Sequence, residues 1–173
     1  MITIVMGVSG SGKSTIGEGL AARLGQPFVD ADPLHPQANR DKMARGIPLD
    51  DADRQPWLEA IVAEMDRHRA AGGSMVLACS SLKKRYRDFL RGTSGDVRFV
   101  YLHASREVLA ERLGHRSGHF FDPALLDSQL ATLEEPSRDE ALWVDVSLPP
   151  AEAIEQAIRA GCQGNASTHR QQG

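Results

Sequence analysis

The hydrophobic positions of this chain fall into two alternating textures. Short apolar runs, rich in β-branched residues, occur at ITIVMGV, PFVDAD (27–32), SMVLACS (74–80), VRFVYLH (97–103) and LWVDVS (142–147), and these read as strands. Between them the apolar positions recur every three to four residues. Ile16, Leu20 and Leu24 mark one helical face, and Gly25 suits the C-cap of that helix. Trp57, Ile61, Met65 and His68 mark a second. KKRYRDFLR (83–91), REVLAERLG (106–114), PALLDSQLATLEE (123–135) and AEAIEQAIRA (151–160) read as further helices. Strands alternating with helices predict an α/β domain with a mostly parallel sheet and right-handed crossovers. The polar, glycine-rich tail from Gly161 has no periodicity and is expected to be disordered, which leaves one domain over residues 1–160.

One stretch does not follow the scheme. Residues 32–54, DPLHPQANRDKMARGIPLDDADR, carry three prolines and many acids and amides. This polar excursion follows the second strand, so it is expected at the carboxyl ends of the strands, where an α/β fold binds its substrate.

Composition narrows the function classes. The 173 residues suffice for one well-buried domain, with 41% hydrophobic and 25% charged residues. A net charge of −3 offers no basic surplus for nucleic acid or for acidic membranes. Cys79 and Cys162 form neither a disulfide framework nor a zinc pattern. No signal peptide or membrane-length apolar run is visible, and a cytosolic location is expected.

The first candidate chemistry is GVSGSGKS, from Gly7 to Ser14, which fits the phosphate-binding loop G-x-x-x-x-G-K-[ST]. Its strand–loop–helix setting is the one that pattern requires. Gly7, Val8, Ser9, Gly10, Ser11, Gly12, Lys13, Ser14 and Thr15 are therefore expected to hold the phosphates of a nucleotide. Backbone N–H groups would cradle the phosphates, Lys13 would reach the β- and γ-phosphates, and the Ser14 hydroxyl would bind Mg²⁺. The strand MVLACSS ends without a metal-binding acid, and no N-K-x-D segment for guanine is present. The nearest carboxylates are Asp30 and Asp32, which strand alternation would turn to the same side. In small-molecule kinases one such acid supports metal-bound water and the other takes the acceptor's hydroxyl proton, here Asp30 and Asp32 respectively. RLGHRSGHFFD (112–122) reads as a mobile lid, with Arg116 on the transferred phosphate and Arg112 as a second nucleotide contact. His119 and Phe120 would touch nucleotide or pack the closed lid.

DADPLHPQANRDKMARGIPLDDADRQPWL, CSSLKKRYRDFLR and GHFF…LLDSQLATLEEP together resemble the small, thermoresistant type of gluconate kinase. The resemblance covers about Ile4 to Pro150. It implies the P-loop kinase fold of the shikimate-kinase and nucleoside-monophosphate-kinase group, a five-stranded parallel sheet in the order 2-3-1-4-5. It also implies ATP- and Mg²⁺-dependent phosphorylation of D-gluconate on its 6-hydroxyl, by a homodimer. A small polyol acid needs one or two cations and several hydrogen-bonding groups, which the excursion supplies as His35, Asn39 and Lys42. By analogy with shikimate kinases, Arg54, opening the next helix, is the first choice for the gluconate carboxylate and Lys83 the second. Trp57 is expected in the core. A sister small-acid kinase and a catalytically silent nucleotide-binding regulator are the competing readings.

Overall fold

The computed structural model describes residues 1–114 and 123–161 of the chain. Five strands form one sheet: β1 (Ile2–Met6), β2 (Phe28–Asp30), β3 (Met75–Ala78), β4 (Val97–His103) and β5 (Ala141–Asp145). Their order is β2-β3-β1-β4-β5, and every neighbouring pair is parallel. β1 lies at the centre, and all five of its residues are buried, as a parallel strand covered on both faces requires.

Alternation along β1 divides the core. Ile2, Ile4 and Met6 pack with Trp57, Ile61, Met65, Tyr86 and Leu90, under α3 (Asp51–Ala70) and α4 (Lys84–Arg91). Val5 packs on the opposite face with Ile16, Leu20, Ala153 and Ala157, from α1 (Lys13–Leu24) and α7 (Pro150–Arg159). Each fully buried aliphatic side chain of this kind contributes about 1.5–3 kcal/mol relative to exposure. A third cluster of Val8, Leu82, Leu109, Leu113 and Leu126 seats α5 (Arg106–Gly114) and α6 (Pro123–Thr132) beneath the loop that follows β1.

Several sequence expectations shift by a few residues. The second strand was expected over 27–32 but ends at Asp30, because Ala31 turns to helical angles and Asp32–Leu34 form a single 3-10 turn. The polar excursion is not irregular throughout, since it contains the short helix α2 (Gln37–Ala44). α3 begins at Asp51, three residues before Arg54. Asp50 and Asp53 close a reciprocal capping box there, each side chain accepting the other's backbone N–H. The remaining strands and helices lie within one to three residues of their expected bounds. The tail beyond Gly161 and residues 115–122 of the expected lid, with Arg116, His119 and Phe120, lie outside the described residues.

Candidate active site

The loop Gly7–Gly12 leaves the carboxyl end of β1 and enters α1. Gly12 caps that helix with φ 88° and no side-chain cap, so the first-turn N–H groups have no acceptor within the helix. Gly10 has φ 83°, and a Cβ there would lie 2.6 Å from Leu113 Cγ. Only glycine satisfies both conditions. Ser11 Oγ and Lys13 Nζ both donate to the Val8 carbonyl, at 2.7 and 3.1 Å, folding the loop back on itself. The result is a positively polarised concavity of backbone donors, the shape and charge that an anionic phosphate chain fits.

Two cavities flank this loop. One of about 280 Å³ is bordered by Gly10, Gly12, Thr15, Arg112, Leu148 and Pro150. Arg112 reaches it from the last turn of α5, donating to the Leu148 carbonyl at 3.5 Å. The other, about 590 Å³, brings Ser9, Lys13, Asp32, His35, Arg54 and Gln129 around one space. The loop thus separates the two cavities, with Lys13 facing the larger one.

The two acids arrive differently from the expected alternation. Because β2 stops at Asp30, the Asp30 Oδ1 accepts the Asp32 N–H at 3.0 Å and stabilises the turn. Asp32 lines the larger cavity, and Asp30 is not among its lining residues. Although Asp32 sits at the exposed mouth, protein around its carboxylate pushes its pKa upward by desolvation; Asp30 adds to the rise and Lys13 opposes it.

The opposite wall comes from the excursion and α3. His35 stacks on Trp57 at 4.1 Å, while the Trp57 indole N–H donates to the Ala31 carbonyl at 2.8 Å. Trp57 is therefore core, as expected, and also the platform that fixes His35. Asn39 Nδ2 donates to the Asp53 carbonyl at 2.8 Å, which fixes the orientation of its amide; the same nitrogen lies 3.2 Å from His35 Nδ1. His35 Nδ1 must then accept, leaving Nε2–H as its donor. Burial first, then Arg54 and Arg40, lower the His35 pKa to about 4, so the ring is neutral near pH 7. Lys42 is held by Asp53 at 2.8 Å and does not line the cavity.

Arg54 Nη1 donates to the Tyr86 hydroxyl at 3.0 Å, and that hydroxyl in turn donates to Asp51. Lys83 and Arg85 also bind Asp51, at 3.1 and 2.7 Å. The Tyr86 bond, then the Lys83 bond, hold Asp51 down at about pKa 2, so this carboxylate stays charged. Two cations, Lys83 and Arg85, share this one acid, whereas Arg54 meets a phenol rather than a carboxylate. Among the described residues its charge has no ion-pair partner. Lys83, the alternative carboxylate ligand, is committed to Asp51 and lies outside the cavity wall.

A family model described as shikimate kinase matches residues 9–145. The chain is 48% identical to the gluconokinase of Gluconobacter oxydans over 157 residues, covering 90% of this chain and 88% of that one. It is 43% identical to the thermoresistant gluconokinase of Escherichia coli, covering 86% of each. The chain belongs to the gluconokinase family. A solved gluconokinase from Sinorhizobium meliloti superposes with a TM-score of 0.83 at 49% identity, over 92% of this chain and 90% of that one. Gluconokinase membership accounts for the fold, the strand order and the kinase chemistry.

Two residues beside this candidate site escaped the sequence reading. Tyr86 is visible only as an aromatic among basic residues in KKRYRDFLR, four before Leu90. Gln129 left a clearer trace, since it falls on the Leu126, Leu130, Leu133 stripe, where a polar residue faces inward.

Proposed function

We propose that the chain transfers the γ-phosphoryl group of ATP to the 6-hydroxyl of D-gluconate. The observation that carries this reading is Arg54, a cation without an ion-pair partner among the described residues, on the wall of a cavity that also holds Lys13 and Asp32. A small anionic polyol suits that wall: its carboxylate pairs with the Arg54 guanidinium, and its hydroxyls meet the His35 Nε2–H. The far end of an extended six-carbon acid then reaches toward Asp32 and the phosphate loop.

In this reading Lys13 and the loop N–H groups bind the phosphates, and Asp32 orients the 6-hydroxyl and accepts its proton as the bond to phosphorus forms. The raised pKa of Asp32 suits that role, because a better base takes the proton more readily. Mg²⁺ would be held by Ser14 at the start of α1 together with phosphate oxygens, and the second oxygen of Asp30 would receive a metal-bound water. The ion would neutralise phosphate charge. Arg112, on the wall of the smaller cavity, would contact the nucleotide, and Arg116, which lies outside the described residues, is the sequence's candidate for the remaining charge stabilisation. A cytosolic homodimer is the assembly state that goes with this reading.

A coupled ADP-release assay run in parallel with gluconate, shikimate, AMP and no acceptor tests the substrate. Gluconate should stimulate ADP formation far more than the others. Equal or greater stimulation by shikimate or AMP would overturn the proposal.

A further inference from the structure

Ser9 and Gln129 are 120 residues apart in sequence, yet they make a two-point contact across the mouth of the acceptor cavity. The Ser9 backbone N–H donates to Gln129 Oε1 at 2.6 Å, and Gln129 Nε2 donates to Ser9 Oγ at 2.9 Å. The amide orientation follows from chemistry alone. A backbone N–H can only donate, so the amide oxygen must face it and the amide nitrogen must face the hydroxyl. Ser9 Oγ is therefore an acceptor in this contact, and its own proton points elsewhere. Ser11, two residues on, spends its hydroxyl on the Val8 carbonyl at 2.7 Å, so the two loop serines are not equivalent. Ser9 and Gln129 both line the cavity that holds Lys13 and Asp32.

We propose that Gln129 is a positioning residue that turns the Ser9 hydroxyl into a fixed donor aimed at the transferring phosphoryl group. A serine hydroxyl ordinarily rotates among acceptors. Here the amide occupies one lone pair of the oxygen and holds the residue's backbone, so the O–H is left to the space where negative charge gathers during transfer. A donor oriented beforehand costs no reorganisation as the reaction proceeds, which is why such a bond strengthens the transition state more than the ground state. The amide also ties α6 to the phosphate loop, so this helix reports directly on the loop. The inference rests on the kinase reading above, and it adds a residue pair to that site.

Three variants test it. Ser9→Ala removes the donor. Gln129→Leu removes the clamp. Gln129→Glu keeps shape and still accepts from the Ser9 N–H, but its carboxylate cannot donate to Oγ and instead draws the Ser9 proton onto itself. Each variant should lower kcat by roughly 10- to 100-fold, the value of one charge-assisted hydrogen bond, with the KM for ATP and for gluconate changed less than about threefold. The double variant Ser9→Ala/Gln129→Leu should be no slower than the slower single one, because both changes remove the same donor. Wild-type kcat in Gln129→Glu, or effects that multiply in the double variant, would overturn the proposal. The acceptor-free ATP hydrolysis rate is measured for every variant alongside the gluconate rate. If wild type fails on gluconate, the substrate reading falls, and the hydrolysis rates alone still decide whether Ser9 and Gln129 act together.

Discussion

Arg54 offers the most direct measure of what the acceptor site recognises. Arg54→Ala removes a guanidinium that one hydrogen bond already anchors to Tyr86 at 3.0 Å, leaving its remaining N–H groups for the cavity. A charge-assisted contact to a carboxylate contributes about 1.5–3 kcal/mol, so the KM for gluconate should rise roughly 10- to 100-fold. Arg54→Lys keeps the charge but not the planar fork, and should fall between wild type and the alanine variant. Tyr86→Phe keeps the Arg54 guanidinium and removes its anchor together with the hydroxyl's bond to Asp51; loss of the anchor is worth about 1 kcal/mol, or roughly fivefold in the same KM. The graded order Tyr86→Phe, Arg54→Lys, Arg54→Ala is the signature of carboxylate recognition. The assay is steady-state ADP release at saturating ATP with gluconate varied, then the reverse. The KM for ATP should stay within about twofold throughout, because Arg54 lines the acceptor cavity and not the niche beside Arg112. Equal changes in both KM values would refute the assignment and make Arg54 a structural or phosphate-binding residue.

Lys13→Ala should abolish measurable turnover while circular dichroism and melting remain those of a folded protein; a folded variant with near wild-type turnover would remove Lys13 from the phosphate site. Asp32→Asn should lower kcat by about 10²–10⁴-fold without weakening binding of a non-hydrolysable ATP analogue, and normal turnover would show that no base is needed there. Because folding raises the Asp32 pKa, its charged form is a stability cost that appears as pH rises through that value, so the Asn variant should melt no lower than wild type at pH 7. His35 is shifted in the other direction, to about 4 in the fold. Between pH 6.5 and 4 the unfolded chain takes up a proton that the folded chain refuses, so stability should decline over that window. His35→Asn should flatten the decline, and an unchanged pH–melting profile would contradict the neutral, Trp57-stacked ring.

The sequence by itself determined the elements whose signal is local. Strands β1, β3 and β4 are short apolar runs buried on both faces, and α1 announces itself through Ile16, Leu20 and the left-handed Gly25 cap. The phosphate loop was equally legible, because the left-handed backbone angles of Gly10 and Gly12 are a local requirement, although the close approach of Leu113 to Gly10 is a tertiary one. The resemblance to gluconate kinases then carried the strand order, which periodicity cannot supply. Local pattern failed where a side chain overrode propensity. Alternation predicted Asp30 and Asp32 on the same side of a strand, but the strand ends two residues early, where the Asp30 carboxylate accepts the Asp32 N–H. The capping box of Asp50 and Asp53 likewise started α3 ahead of Arg54. The partners of the site residues were decided only by the tertiary structure. Tyr86 meets Arg54 across 32 residues, and Gln129 meets Ser9 across 120. Such contacts exist because the parallel sheet gathers the carboxyl ends of β1, β2 and β3 at one edge, where the helices that follow them must converge. A single chain can state which residues are polar on an inward face, but only the fold states which polar group they meet.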